Sequence, residues 1–535
     1  MMGTKNRTVR KANMGVVDKA FSVAYSYLLK NYSKAEIAMI EPELQSFMEV
    51  ISTDETQVDS YENLQNFLSK INEKESGRKE RGIYYTPRDV VGFVVANCSK
   101  LPTLNETDLG VPSTFSCPQS FLTKTVYDPT CGTGEFLVEV LEMKLGLLGV
   151  DSQILKTVGT IRGNDLNPDS VAITKLRLLL CVLSRFGAKS VVGLSEVLNK
   201  NFTTYDYVST CPAEDKYDVI LGDPPYVEDS KSETTPEVRY GNIYANVLEN
   251  SAKQLEENGI MGFVVPLSYV STSRMKSIRT ALSKLVPEQY VLTYSDRPSC
   301  LFTSAHQKIC LLFGRKIDCK PIYYTSSYNY WYKEERKSLF ENVPVVKNEY
   351  VSDLFIPKFG SKTDLSIYSK VLSQPKSLPE LFDGSFPVYL NMGAQFWIKA
   401  FTEPHGGAGY KVFNCRDEET QKYVMCLLNS SLFWWYWSCI SDCWHVTQKE
   451  LAGFRVPVNF TPEVIELADN LEQRLEQTKV YVGTAQIDYE YKHKNCMAEI
   501  EKVDDYVNKM YGILETENLY IKDFARRYRT SGGTK

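Results

Sequence analysis

The apolar run "YDVILG" ends at Gly222 and is followed at once by Asp223-Pro224-Pro225-Tyr226, four residues that continue neither a strand nor a helix. A planar amino group on a heteroaromatic ring or a carbonyl is a poor nucleophile, because its lone pair is delocalised. The Asp223 carboxylate and the Pro224 carbonyl form a pair of acceptors for both N–H groups of such an amine. They would draw its nitrogen toward tetrahedral geometry and stabilise the positive charge developing there. Pro224 and Pro225 keep the acceptors fixed in advance, and Tyr226 offers a face on which the ring can stack. An ordinary turn accounts for the prolines but leaves the acid and the aromatic unexplained.

Two further stretches belong with this turn. Asp128-Pro129-Thr130-Cys131-Gly132-Thr133-Gly134 follows "KTVY" and precedes the helix-like "EFLVEVLEMKLG". Its glycines let the backbone turn sharply and approach a ligand, with helix amides aimed at it. Taken alone it can be a plain turn, and it has neither the GxGxxG spacing of dinucleotide folds nor a phosphate-binding lysine. "RGNDLNP" then brings Asp165 to the end of the next strand, where an acid accepts hydrogen bonds from ribose hydroxyls. A helix cap ahead of Pro168 is the competing explanation for Asp165. Together, loop and acid describe a nucleoside-bearing cofactor held without a phosphate clamp, and S-adenosylmethionine fits that description.

The elements that must position these residues run from about 78 to 316. Short β-branched runs, "TVYDPT", "VGTIRGND", "YDVILGDPP", "IMGFVVP", "YVLTYS" and "KICLLFGRK", alternate there with amphipathic stretches of helical length. That pattern predicts a parallel, doubly wound α/β sheet with ligands at the carboxyl ends of its strands. Residues 14–75 read as helices, with Val17, Phe21, Ala24, Tyr25 and Leu28 at helical spacing. Residues 317–460 are rich in Tyr, Trp and Phe, with short possible strands and an "HGGAG" loop at 405–409. From Thr461-Pro462, a cap followed by a first-turn proline, the chain reads as helical to about 529.

The chain has 535 residues, too many for one ordinary core, so two or three domains are expected. No apolar run reaches the roughly 18 residues a membrane span requires, and the basic start MMGTKNRTVRKANMG has no apolar segment behind it, which excludes a signal peptide. Thirteen cysteines without CxxC pairs and only four histidines argue against a disulfide framework or a zinc cluster, and for the reducing cytoplasm. No metal site is expected, and Cys439, Cys443 and His445 read as core packing, as does the cluster of tryptophans between Trp434 and Trp444. A net charge of −5 does not by itself suggest a polyanion partner. Basic residues nevertheless collect at Lys5–Lys11, Lys70–Arg88 and Lys522–Arg529, each of which is a local nucleic-acid surface or a solvated helix face.

The three motifs in this order resemble the S-adenosylmethionine-dependent DNA amino-methyltransferases, specifically the adenine-N6 enzymes of bacterial restriction–modification systems. "RGIYYTPRDVVGFVV" at 81–95 resembles the motif that precedes the cofactor loop in their gamma class, although that class more often has Asn where Asp223 stands. The resemblance implies a seven-stranded Rossmann-like methyltransferase sheet and a separate α+β recognition domain. The implied division is an N-terminal helical segment at 1–77, a catalytic domain at 78–316, a recognition domain at 317–460 and helices at 461–535 packed with it. It further implies that Tyr85, Thr86 and Pro87 border the methionine part of the cofactor, and that Asp128, Pro129, Gly132 and Gly134 line its loop. Asp165 would hold the ribose. Asn201-Phe202 in "NKNFTTYD" would take the place of the family's Asp-Phe pair beside the cofactor adenine. "RPSCLFTSAHQKICLLFGRK" at 297–316 resembles the segment whose aromatic, here Phe302, stacks on the target base; a core phenylalanine is the competing explanation.

The expected activity is methyl transfer to N6 of an adenine flipped out of duplex DNA. The implied enzyme is a cytoplasmic monomer, acting alone or beside a separate restriction endonuclease encoded nearby. Rival readings are a protein-glutamine methyltransferase, an RNA-adenine or cytosine-N4 enzyme on the same fold, and a non-catalytic DNA-binding subunit.

Overall fold

In the computed structural model, which describes residues 15–71, 85–101, 108–149, 151–210, 214–302, 306–405, 409–483 and 489–530, the six β-branched runs lie in one sheet. Its strands in chain order are β1 Val126–Asp128, β2 Ile161–Asn164, β3 Phe202–Thr203, β4 Tyr217–Gly222, β5 Leu255–Pro266, β6 Glu288–Tyr294, β7 Ile309–Arg315, β8 Ile322–Asn329 and β9 Val346–Lys347. They are ordered β3-β2-β1-β4-β5-β7-β6-β8-β9. The first five in that order are parallel. β7 is antiparallel to both neighbours, β8 runs parallel to β6, and β9 closes the edge antiparallel.

Among the described residues the sheet therefore has nine strands where seven were expected. β8 and β9 come from beyond residue 316, the expected end of the catalytic segment, so the sheet runs on through "IYYTSSYN". The chain winds outward from β1 to β3 and then returns to β4 on the other side of β1. A crevice opens at the carboxyl ends of the strands where winding reverses, and that is where such sheets bind ligands. β1 ends in Asp128 and β4 leads into Asp223, so the two acids flank the reversal.

Both faces of the sheet are covered, which is why its strands are nearly continuous apolar runs. Period-two alternation splits their side chains between two cores. Val219, Leu221, Val264, Leu292 and Leu311 pack with Phe21, Ile40 and Leu64 of the N-terminal helices Val16–Asn31, Lys34–Gln45 and Tyr61–Ser69. Helices Arg88–Lys100, Glu135–Gly146 and Pro168–Phe186 complete that layer. Ile220, Val265, Val291 and Leu312 face the other way, into a core shared with Trp435, Leu471 and Val507. The carboxy-terminal region is thus continuous in packing with the sheet, where a separate domain was expected. A three-stranded antiparallel sheet, Phe386–Asn391 with Ala400–Phe401 and Tyr410–Cys415, belongs to that region.

The stretch after Thr461 is helical at Glu463–Thr478, Met497–Met510, Glu515–Asp523 and Arg526–Thr530. It is not one helical run, because Val480–Tyr481 pairs with Tyr489–Glu490, residue types suited to strands. No helix among the described residues is long and apolar enough to cross a membrane. The basic run Lys5–Lys11, most of Lys70–Arg88 and the centre of the "HGGAG" loop lie outside the described residues.

Candidate active site

Asp223 leaves β4 at the crevice, and its carboxylate is held from two sides. Thr86 Oγ1 donates to Oδ2 at 2.7 Å. The Tyr226 hydroxyl donates to Oδ1 and lies 3.1 Å from the Val264 carbonyl. The Tyr226 ring meets Tyr244 edge to face, with centroids 6.3 Å apart. Burial pushes the Asp223 carboxyl up to about 7, against the lowering effect of the Thr86 and Tyr226 donors. Thr86 precedes Pro87, which starts the helix Arg88–Lys100, so this helix delivers the donor to the Asp223–Tyr226 turn. Tyr85 is half-buried beside it, with Lys70 Nζ 5.0 Å from its ring centroid.

The glycine loop abuts this turn. Gly222 has a φ of +156°, and a Cβ there would lie 2.7 Å from Asp128 Oδ1, so only glycine lets the turn sit against the loop acid. Asp128 is buried, with Oδ1 accepting the Thr130 amide at 3.1 Å. Burial first, and then the Asp165 and Asp223 carboxylates, hold Asp128 well above the usual carboxylate range. Gly134 is left-handed, at φ +89°, and a Cβ there would strike the Thr174 side chain at 2.7 Å. Thr174 in turn donates to the Gly132 carbonyl at 2.9 Å, fixing the loop to the helix Pro168–Phe186. Pro129 gives its carbonyl to Asn164 Nδ2 at 3.1 Å.

Asp165 accepts the Gly132 amide at 2.8 Å and the Asn167 amide at 2.9 Å. Burial raises its pKa and those two amides lower it. The helix cap belongs to Asn167, whose side chain accepts from the Asp169 amide, so Asp165 is left at the crevice. Thr86, Asp128, Gly132, Gly134, Asp165, Asp223 and Tyr226 are therefore brought together at one edge of the sheet.

Three expected residues are held by other contacts. The Asn201 side chain donates to the carbonyls of Gly159 and Ile161, 3.3 and 3.0 Å away, at the opposite end of β2. Its amide secures the sheet, because the helix Leu194–Asn201 ends before β3 begins. Phe202 follows it in β3 and packs over Gly163, where a Cβ would lie 2.5 Å from its ring. Phe302 is 3% exposed and belongs to the core on the N-terminal face of the sheet. It presents no open stacking face.

Two further features were missed in the sequence. Arg177, 3% exposed, donates to Gln65, to the Thr133 carbonyl at 2.7 Å and to Glu135. It ties the N-terminal helices to the glycine loop. Trp444 lies 38% exposed in a cleft of about 490 Å³ that Tyr226 also lines. Trp434, Trp435 and Trp437 are core as expected; Trp444 differs because their helix ends at Ile440 and "SDCWH" forms a loop.

Residues 160–298 match the profile of the family described as Eco57I restriction-modification methylase, a stretch that includes Asp165 and the Asp223–Tyr226 turn. A curated type II methyltransferase, M.VspI from Vibrio sp. (strain 343), is 25% identical over 229 residues, which are 40% of this chain and 45% of that one. Another, M.CvrRI from Paramecium bursaria Chlorella virus XZ-6E, is 24% identical over 210 residues, 38% of this chain and 41% of that one. The matches thus cover less than half the length of either relative. A solved structure of the type IIL restriction-modification enzyme MmeI in complex with DNA aligns over 96% of this chain and 94% of that one. Its TM-score is 0.50 at 12% identity, a likeness of fold.

Proposed function

We propose that the chain methylates DNA at N6 of adenine, using S-adenosylmethionine and acting on a base turned out of the duplex. The observation that carries the proposal is the Asp223-Pro224-Pro225-Tyr226 turn, held by Thr86 beside the glycine loop at the winding reversal of the sheet. The family match over residues 160–298 and the two methyltransferase relatives support it.

The residues at the edge fit the cofactor. Asp128 is buried and feels the repulsion of the Asp165 and Asp223 carboxylates, which a cationic sulfonium nearby would offset. Thr130 Oγ1 is buried in the loop without a hydrogen-bond partner, a polar atom awaiting a ligand. S-adenosylmethionine supplies an electrophilic methyl group on its sulfonium. The glycine loop of Asp128, Pro129, Gly132 and Gly134 would cradle it, Asp165 would accept from its ribose, and Tyr85, Thr86 and Pro87 would border its amino-acid end.

The Asp223 carboxylate and the Pro224 carbonyl accept the two N–H bonds of the adenine amine. They orient its lone pair and stabilise the charge gained as nitrogen becomes tetrahedral. No proton need leave before attack; one is lost to water afterwards. Tyr226 supplies a stacking face and keeps Asp223 in place. An adenine paired inside the duplex cannot reach this crevice, so it must be extruded. Duplex DNA as substrate, a cytoplasmic monomer and a separately encoded endonuclease belong to the same proposal.

The test is transfer of labelled methyl groups by the purified protein to unmethylated duplex DNA. N6-methyladenine in the nucleoside digest is expected. Label in N4-methylcytosine, or only in a protein substrate, would overturn the reading.

A further inference from the structure

The cleft next to the catalytic turn has one aromatic wall from Tyr226, and the residue expected to supply a second, Phe302, is buried. Trp444 stands in that cleft with Tyr226, Pro266, Ser268 and Gln307. It also forms part of a smaller hollow with Arg297 and Tyr328, so the indole stands between two recesses. Trp444 is 38% exposed there, whereas Trp434, Trp435 and Trp437 are buried.

The loop that carries it is held with unusual firmness. Three lysines converge on the carbonyls at the end of the helix Ser431–Ile440, where the helix dipole is negative. Lys449 Nζ donates to Ile440 at 2.9 Å and Lys358 Nζ to Ser441 at 2.7 Å. Lys308 Nζ donates to Asp442 at 3.0 Å and Cys443 at 2.5 Å. Cys443 is held in left-handed backbone, at φ +56°, which a Cβ disfavours. Trp444 itself takes its amide hydrogen bond to Asp442 Oδ1 at 2.8 Å, and its carbonyl accepts from Ala394 at 2.9 Å. Lys308 Nζ lies 4.0 Å from the indole centroid, and Arg297 5.5 Å. The cleft carries Lys231, Arg274 and Lys308 against Glu228 and Asp442, a balance suited to a base attached to a phosphate backbone.

We infer that Trp444 is a second stacking residue for the extrahelical base, forming with Tyr226 the walls of the cleft through which the base reaches Asp223. The inference rests on the DNA-methyltransferase reading. It assigns to the aromatic carboxy-terminal region a direct contact with the reacting nucleotide. The base gives up its stacking in the duplex, and the indole replaces it where the buried phenylalanine cannot.

Single-turnover methylation of an unmethylated plasmid by wild type, Trp444→Ala and Trp444→Phe tests this, alongside acrylamide quenching of tryptophan fluorescence. Trp444→Ala should slow transfer by about 5- to 150-fold, the equivalent of one base stack. Trp444→Phe should recover most of the rate, and cofactor binding should be unchanged in both. Plasmid DNA should reduce acrylamide quenching of the wild type, and that part of the protection owed to Trp444 should be absent in Trp444→Ala. Native-rate transfer by Trp444→Ala, or DNA that leaves wild-type quenching unaltered, overturns the inference while the methyltransferase reading stands. A wild type that transfers no methyl to DNA instead sinks the reading itself.

Discussion

Opposing influences set the ionisation of Asp223. Burial pushes its carboxyl up to about 7, while the hydroxyls of Thr86 and Tyr226 favour the charged form and hold the value down. Only the carboxylate offers acceptors on both oxygens; once protonated, the group presents a donor to an amine that is itself a donor. Single-turnover methylation should therefore rise with pH through about 7 and level off above it. Thr86→Val removes a donor that stabilises the carboxylate, so its limb should move to higher pH. Asp223→Asn retains an acceptor oxygen and cannot titrate, so its lower activity should lose the limb altogether. A limb that survives in Asp223→Asn would assign the titration to another group. The acid and tyrosine of this turn stand out as candidates from residue chemistry alone. The Thr86 donor was not, because 137 positions separate it from its acceptor and only the fold brings them together.

At the scale of elements, legibility followed length and periodicity. The six β-branched runs alternate over enough residues to declare themselves as strands, whereas β3, two residues long, carries no period to read. β8 was hidden because "IYYTSSYN" lies in an aromatic-rich stretch without the helical spacer that marked the earlier strands. Asn201 stands beside a phenylalanine as the family pattern asks, yet the helix before it turns its amide toward β2. The basic tail Lys522–Arg529 shows the same limit, since charge in a sequence does not say where it points. In the structure Lys522 pairs with Asp505, Arg526 with Glu501 and Arg527 with Glu335. Arg529 is 4% exposed between Trp397 and Trp434, 4.2 and 4.1 Å from their centroids, and donates to the Phe396 carbonyl at 3.0 Å. Arg529→Ala should therefore lower the thermal unfolding midpoint and leave the salt dependence of DNA binding unchanged. An arginine on a phosphate would instead reduce that slope by about one.

At the scale of the whole molecule, the sheet is a partition between two cores, with the carboxyl ends of its strands open at the winding reversal. The N-terminal helices brace the glycine loop from one face through Arg177, Gln65 and the Ser69 carbonyl, which accepts from Thr133 at 3.2 Å. The carboxy-terminal region seals the other face, and its loop bearing Trp444 lines one cleft with Tyr226. The aromatic carboxy-terminal region and this face of the sheet share one core. Neither composition nor length carries the identity of the surface that a segment buries. The central claim is that this scaffold presents a flipped adenine to Asp223, and modification of cellular DNA tests it most directly. Single-molecule sequencing of DNA from a methylation-free host expressing the protein should reveal N6-methyladenine confined to one sequence context, and none in the same host expressing Asp223→Ala. Unmodified DNA in cells with abundant folded wild-type protein, or modification confined to cytosine, would contradict the account.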